Sequence, residues 1–369
     1  MTSGPVRHLL HVFPTFAIGG AQVRTVTLIN HFGDRCRHTI LALDGRFEAA
    51  VRIDGAVTVT LAAPPPRLYA RAPVRLLTMA WLLRQIRPDV LLTYNWGAIE
   101  WAAVNALGPR LRHVHAEDGF GVEESVQRKT RRSWFRRLAL VGTDAIVVPS
   151  ETLAEIARRE WGVPAQLLHR IDNGVDLERF MPRVLETPVR ATDVGITIGT
   201  VAPLRPEKNL SRLIRVFSAL RLKPSPRLVV AGDGAERPRL ETLAHRLGVS
   251  DRVLFTGHVA EPEFMLSRFD VFAISSDTEQ QPVTVIEAMA AGKPIVGVDV
   301  GDIRTMVAPE NRNFIVPPGD EAALIRAMER LATDSSTRAL VGAANRRLAV
   351  DRFGVHRMYT SYSPIYTGA

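Results

Sequence analysis

The chain of 369 residues is long enough for about two domains, each able to close its own apolar core. Hydrophobic residues at 46% and charged residues at 23% exclude a disordered or fibrous protein, and a single cysteine, Cys36, excludes an intramolecular disulfide framework and suits a reducing compartment. The net charge of +9 predicts attraction to polyanions, but no helix-turn-helix, zinc-knuckle or RNA-binding signature accompanies it, and no stretch approaches the roughly 18 apolar residues that span a bilayer.

Short β-branched or leucine-rich runs alternate with longer runs of helical period, the pattern of parallel α/β structure. Strands are predicted at Arg7–Phe13, 89–93, 111–115 and 144–148, with helices at 21–32, 74–86, 96–107 and 151–161. They form a first doubly wound unit over residues 1–182. The period breaks in a linker at 183–194, where Pro188 and several polar residues lie. A second unit, 195–345, has strands at 195–201, Arg227–Ala231, 253–256, 270–274 and 294–298, and helices starting near Asn209, Glu236, Pro262 and Pro282. The last segment, 346–369, reads as helix returning toward the first domain. Two such units are expected to face a central cleft at the carboxyl ends of both sheets, where open α/β sheets bind ligands.

Chemistry-bearing residues fall at those strand ends. The loop 14–22 carries Gly19 and Gly20, which permit close backbone approach to a ligand as the first helix opens. His115 ends a predicted strand and is expected to point into the cleft. A basic segment, 127–141, read as a helix, places Trp134, Leu138 and Val141 on one side and Arg128, Lys129, Arg132 and Arg136 on another, a surface suited to an anionic membrane. The stretch 200–210 runs off a strand with Arg205 and Lys208, two cations able to neutralise a departing diphosphate. In SDTEQQPVTVIEAMAAGKPIV, Glu279 precedes a helix and Glu287 lies inside it, with Pro282 as first helical residue. The backbone amides near Pro282, Val283 and Thr284 are free to hold a diphosphate. No Asp-x-Asp occurs, and the i, i+2 spacing of His113, His115, Glu117 and Asp118, which would suggest a metal site, is a common accident at a strand end, so neither a metal nor another cofactor is expected.

These residues resemble the family-4 retaining glycosyltransferases. The likeness rests on Glu279-x7-Glu287 followed by AMAAGKPIV, the glycine-rich opening loop, His115 in an H-x-x-D setting, DNGVD at 172–176 and PEKN at 206–209. It implies the GT-B fold and a metal-independent transfer of sugar from a nucleotide-diphosphate sugar. It also implies an acceptor that is a glycan or a lipid-linked precursor, expected at the cytoplasmic face of an anionic membrane. It further implies that Glu279 contacts the transferred sugar, Glu287 the ribose, Arg205 and Lys208 the diphosphate, and His115 the donor sugar from the opposite domain. The family arginine five residues before the lysine is Pro203 here, and QQP follows Glu279 in place of glycine-phenylalanine-glycine. A nucleotide-sugar epimerase of similar shape and a non-catalytic partner of an active transferase remain alternatives; incubation with donor alone separates the first from a transferase.

Overall fold

A computed structural model describes residues 6–33, 35–120, 124, 129–182 and 195–367 of the chain. These form two compact units, Met1–Asn173 with His356–Ala369, and Gly174–Val355. The linker expected at 183–194 lies outside the described residues.

In the first unit the described elements are β1 (Arg7–Phe13), α1 (Gly20–Phe32), β2 (Cys36–Ala42), β3 (Val59–Ala62), α2 (Ala72–Ile86), β4 (Val90–Tyr94), α3 (Ile99–Leu107), β5 (Arg112–Ala116), α4 (Thr130–Ala139), β6 (Ala145–Val148), α5 (Glu151–Arg159) and β7 (Leu168–Arg170). The strands pair in parallel in the order β3-β2-β1-β4-β5-β6-β7. Strands β1, β4 and β6 are almost wholly buried, the apolar run expected of a sheet covered on both faces. Strand β2, broken by Arg37 and His38, and the short strands β3 and β7 carry no clear signal in the sequence.

The second unit contains β8 (Thr197–Val201), α6 (Leu210–Ala219), β9 (Arg227–Ala231), α7 (Arg237–Arg246), β10 (Val253–Gly257), α8 (Pro262–Arg268), β11 (Val271–Ile274), α9 (Val283–Ala290), β12 (Ile295–Val298), α10 (Ile303–Met306), β13 (Ile315–Val316), α11 (Glu321–Thr333) and α12 (Ser335–Arg352). Its parallel sheet runs β10-β9-β8-β11-β12-β13. Residues 174–182, which the sequence groups with the first domain, pack here. Val175 donates to the Phe353 carbonyl at 2.9 Å, and Phe180 joins the core of Phe272, Ile286 and Met289. The final helix, α13 (Val355–Thr367), belongs from His356 onward to the first unit, where Tyr359 stacks on His31 with ring centroids 3.7 Å apart.

In both sheets the chain reverses its direction of strand addition once, between β1 and β4 and between β8 and β11. Ligands of open α/β sheets bind at such switch points, beyond the carboxyl ends of the strands.

Candidate functional site

At the switch point of the second unit, the chain leaves β8 through Ala202–Leu204 into one 3-10 turn, Pro206–Lys208. Asn209 then takes a left-handed conformation, φ +41°, which asparagine tolerates better than most residues, and its side chain accepts from the Arg212 amide to cap α6. This fixes where Lys208 emerges. The loop after β11 is laced to the same turn. Ser275 Oγ donates to the Lys208 carbonyl at 3.0 Å, the Asp277 amide to the Glu207 carbonyl at 2.9 Å, and Asn209 and Arg212 both donate to the Asp277 carboxylate.

The result is a direct pair, Lys208 Nζ to Glu279 Oε1 at 2.5 Å, with Ser276 Oγ donating to the same oxygen at 2.7 Å. Lys208 and Glu279 stand 71 residues apart in sequence. They line one hollow with Thr200, Ser276 and Thr284 over an apolar floor of Leu210, Phe272 and Ile274. An ammonium has three donors, so the bond to Glu279 leaves two N–H groups for a further acceptor such as a phosphate oxygen. Gly301, at φ +59°, seats the loop after β12 on this segment; a Cβ there would meet the Glu279 carbonyl at 2.2 Å.

Pro282 is the N-cap of α9, not its first residue, and the helix begins at Val283. The amides of Val285 and Ile286 return to the Pro282 carbonyl, while helix geometry gives those of Val283 and Thr284 no intrahelical partner. Thr284 lines the hollow; Glu287 does not. Glu287 lies half-buried on α9, its charge helping to hold the Arg179 guanidinium above its ordinary value, behind the larger effect of the Arg179–Glu263 hydrogen bond. Arg205, expected to join Lys208, is exposed at the start of the turn and does not line the hollow, whereas Pro203 does. The proline presents no cation, so Lys208 is the cation of this hollow among the described residues.

The remaining candidates lie in the first unit. Gly19 is the extended N-cap of α1 and Gly20 its first residue, with no side chain capping the turn. His115 corrects an expectation. It lies within β5, is fully buried, and commits both ring nitrogens, Nδ1 to Thr93 Oγ1 at 2.8 Å and Nε2 to Glu117 Oε2 at 3.3 Å. It therefore does not open onto a ligand edge. Neighbouring His113 shares the Thr93 hydroxyl and is held down at about 3 by burial and then by the charge of His115. A bidentate pair joins Arg24 of α1 to Asp118, the acid of the H-x-x-D setting.

Beyond His115 the network continues to Arg136. Its guanidinium is 1% exposed, lies 3.4 Å from Glu117 and 3.3 Å from Glu124, and rests over the rings of Trp96, Phe120 and Trp161 at 4.9–5.4 Å. Burial pushes the Glu124 carboxyl up, but the hydrogen bond and charge of Arg136 and the hydrogen bond of Arg132 outweigh it and hold the group below its ordinary value. The basic surface expected on 127–141 is thus redrawn. Residues 127 and 128 lie outside the described residues, Arg136 points inward, and Arg132 pairs with Glu124. Among the described residues of this segment, Lys129, Arg131 and Arg137 are the exposed cations. They accompany Trp134, Leu138 and Val141, which are 59%, 68% and 67% exposed.

Residues 190–348 match the family described as glycosyl transferases group 1, and residues 18–179 match glycosyltransferase family 4. A D-inositol 3-phosphate glycosyltransferase of Xylanimonas cellulosilytica is 30% identical over 301 residues, 76% of this chain and 72% of its own. A GDP-mannose-dependent alpha-mannosyltransferase of Mycobacterium tuberculosis is 28% identical over 64% of this chain, a match that spans 62% of the mycobacterial enzyme's length. Among solved structures, Anabaena Alr3699/HepE in complex with UDP superimposes with a TM-score of 0.78 at 19% identity, covering 99% of this chain and 100% of that one. The two parallel sheets and this likeness establish the GT-B fold class.

Proposed function

Because the chain belongs to the group 1, family 4 glycosyltransferases, we propose that it moves a sugar from a nucleotide-diphosphate sugar to a glycan or lipid-linked acceptor, retaining anomeric configuration and using no metal. The observation that carries this reading is the Lys208–Glu279 pair at the switch point of the second sheet, beside the free amides that open α9. The two N–H groups left on Lys208 and the amides of Val283 and Thr284 suit a diphosphate; the UDP bound by the Anabaena protein supports a donor of that chemistry. Glu279, ordered by Ser276 and Lys208, is set to accept hydrogen bonds from sugar hydroxyls. In the transfer the anomeric carbon–oxygen bond to the diphosphate breaks while the acceptor oxygen bonds to that carbon on the same face. The acceptor proton passes to the leaving diphosphate oxygen, so no protein base is required.

A panel of nucleotide sugars and free nucleoside diphosphates, screened by thermal shift in excess EDTA, tests the donor side. At least one member is expected to raise the unfolding midpoint, since a ligand bound only by the native state stabilises it by mass action. Transfer with that donor should survive the chelator and yield a product of the donor's anomeric configuration. Binding restored only by a divalent cation would remove the metal-independent mechanism; conversion of donor with no acceptor present would favour an epimerase.

No described helix is long and apolar enough to cross a membrane. We place the enzyme on the cytoplasmic face of an anionic membrane, held there by the exposed stripe of α4 and its cations, each worth about 1 kcal/mol near such a surface. The protein should co-sediment with anionic but not neutral vesicles and be released by salt. The triple variant W134S/R137Q/L138S should stay in the supernatant. Equal binding to both vesicle types, or full retention of the variant, would leave this helix an ordinary surface.

A further inference from the structure

Arg212, in the first turn of α6, bonds to neither Lys208 nor Glu279, yet it ties together the segments that carry both. Its Nη1 donates to the Ser275 carbonyl at 2.8 Å and its Nη2 to Asp277 Oδ1 at 2.7 Å. It therefore grips the loop after β11 on either side of Ser276, the residue whose hydroxyl donates to Glu279. The grip extends to the neighbour of Lys208. Asn209 accepts from the Arg212 amide at 3.2 Å and donates to both oxygens of Asp277 at 3.0 Å. A planar guanidinium can span a carbonyl and a carboxylate in this way, whereas a lysine offers only a point charge.

Stability does not account for the arrangement. Arg212 Nε is buried with no partner among the described residues, and an unmet buried donor costs free energy that an apolar side chain here would avoid. The Asp277 side chain is 44% exposed, and an ion pair open to water contributes little. Asn209 adds a left-handed φ of +41°, uncommon outside glycine. Local costs of this kind persist where they hold a site in place. What needs holding here is Lys208. It is the cation lining the hollow among the described residues, at the end of a side chain with many rotamers.

We infer that Arg212 is a positioning residue for sugar transfer. Through Ser275 and Asp277 it fixes the turn carrying Lys208 against the loop carrying Glu279, so that the ammonium meets the leaving diphosphate while bonded to Glu279. This rests on the transferase reading above. Arg212 lies outside every motif that carries the family likeness, so that likeness assigns it no role.

The test compares Arg212→Met with Arg215→Met, a control on the same helix that pairs with Glu321 instead. Arg212→Met is expected to lower kcat about tenfold or more with the donor KM within about threefold, because misplacing a charge acts mainly on the transition state. Asp277→Asn, at a more exposed position, should lower kcat in the same way by less, and Arg215→Met should match wild type. In Lys208→Ala, adding Arg212→Met should cost no more than about a further twofold, since a residue that acts through Lys208 has nothing left to position. Hydrogen exchange of residues 275–281 without ligand should quicken about tenfold in Arg212→Met and not in Arg215→Met, as the Asp277 amide loses its bond to the Glu207 carbonyl. Unchanged kcat in both Arg212→Met and Asp277→Asn, or an equal loss in the wild-type and Lys208→Ala backgrounds, overturns the inference. Failure of every donor with quickened exchange would sink the transferase reading alone. Unchanged exchange beside an active wild type would sink the clamp alone.

Discussion

Lys208→Ala is expected to lower sugar transfer by about a hundredfold or more at saturating donor, and Glu279→Gln by a similar factor, the scale of removing one preorganised charge contact from a transition state. The two losses have different origins. Lys208 is the cation lining the hollow among the described residues, Pro203 supplying none, so its removal leaves charge on the departing diphosphate uncompensated. Glu279→Gln keeps the shape and the Ser276 bond but removes the charge that Lys208 and the sugar hydroxyls share. Neither change should unfold the protein, because both side chains lie at the edge of the sheet with part of their surface in water. Arg205→Ala, outside the hollow, should cost far less than Lys208→Ala. Initial rates of the three variants beside their thermal midpoints decide it. Turnover near wild type in Lys208→Ala, or a loss as large in Arg205→Ala, would contradict the roles given to these residues.

Arg136→Ala is expected to have the largest effect on stability, about 3–5 kcal/mol, the range for breaking a buried ion pair by removing one partner. Its loss would strand Glu117, fully buried with Oε1 already unpartnered among the described residues, and would weaken the hold on Glu124. It would also leave a void among Trp96, Phe120 and Trp161. Arg137→Ala, one residue along the same helix and exposed, should fall within about 0.5 kcal/mol of wild type. Pairing Glu117→Gln with Arg136→Met should recover part of the loss, because an apolar side chain then replaces the cation with one fewer bare charge beside it. With two units in one chain, the first unit's transition must be followed separately, for instance by tryptophan fluorescence in urea. Equal shifts for Arg136→Ala and Arg137→Ala would show the buried network to be energetically idle.

What the sequence determined by itself was whatever is written in local period and spacing. The alternation of buried strands such as Arg7–Phe13 and Arg227–Ala231 with helical runs specifies parallel α/β units, because a residue's neighbours within one element follow from periods of about 2 and 3.6. The motif spacing likewise put Glu279 before a helix, Glu287 within it, and Lys208 after a strand. Strands β2, β3, β7 and β13 were not legible, being short or interrupted by polar residues such as Arg37 and His38 of β2, so their pairing partners supply what their own pattern lacks. Only the tertiary structure decided which distant residues meet. Lys208 reaches Glu279 because β8 and β11 are neighbours at the reversal of strand order, a fact of crossover topology that no local window contains. The same holds for α4. A helical projection separates Trp134, Leu138 and Val141 from the arginines but cannot say which side turns inward. Here the inward side carries Arg136, since Glu117, Glu124 and three aromatic rings from other parts of the unit offer the buried cation its partners, and the apolar stripe is left facing water.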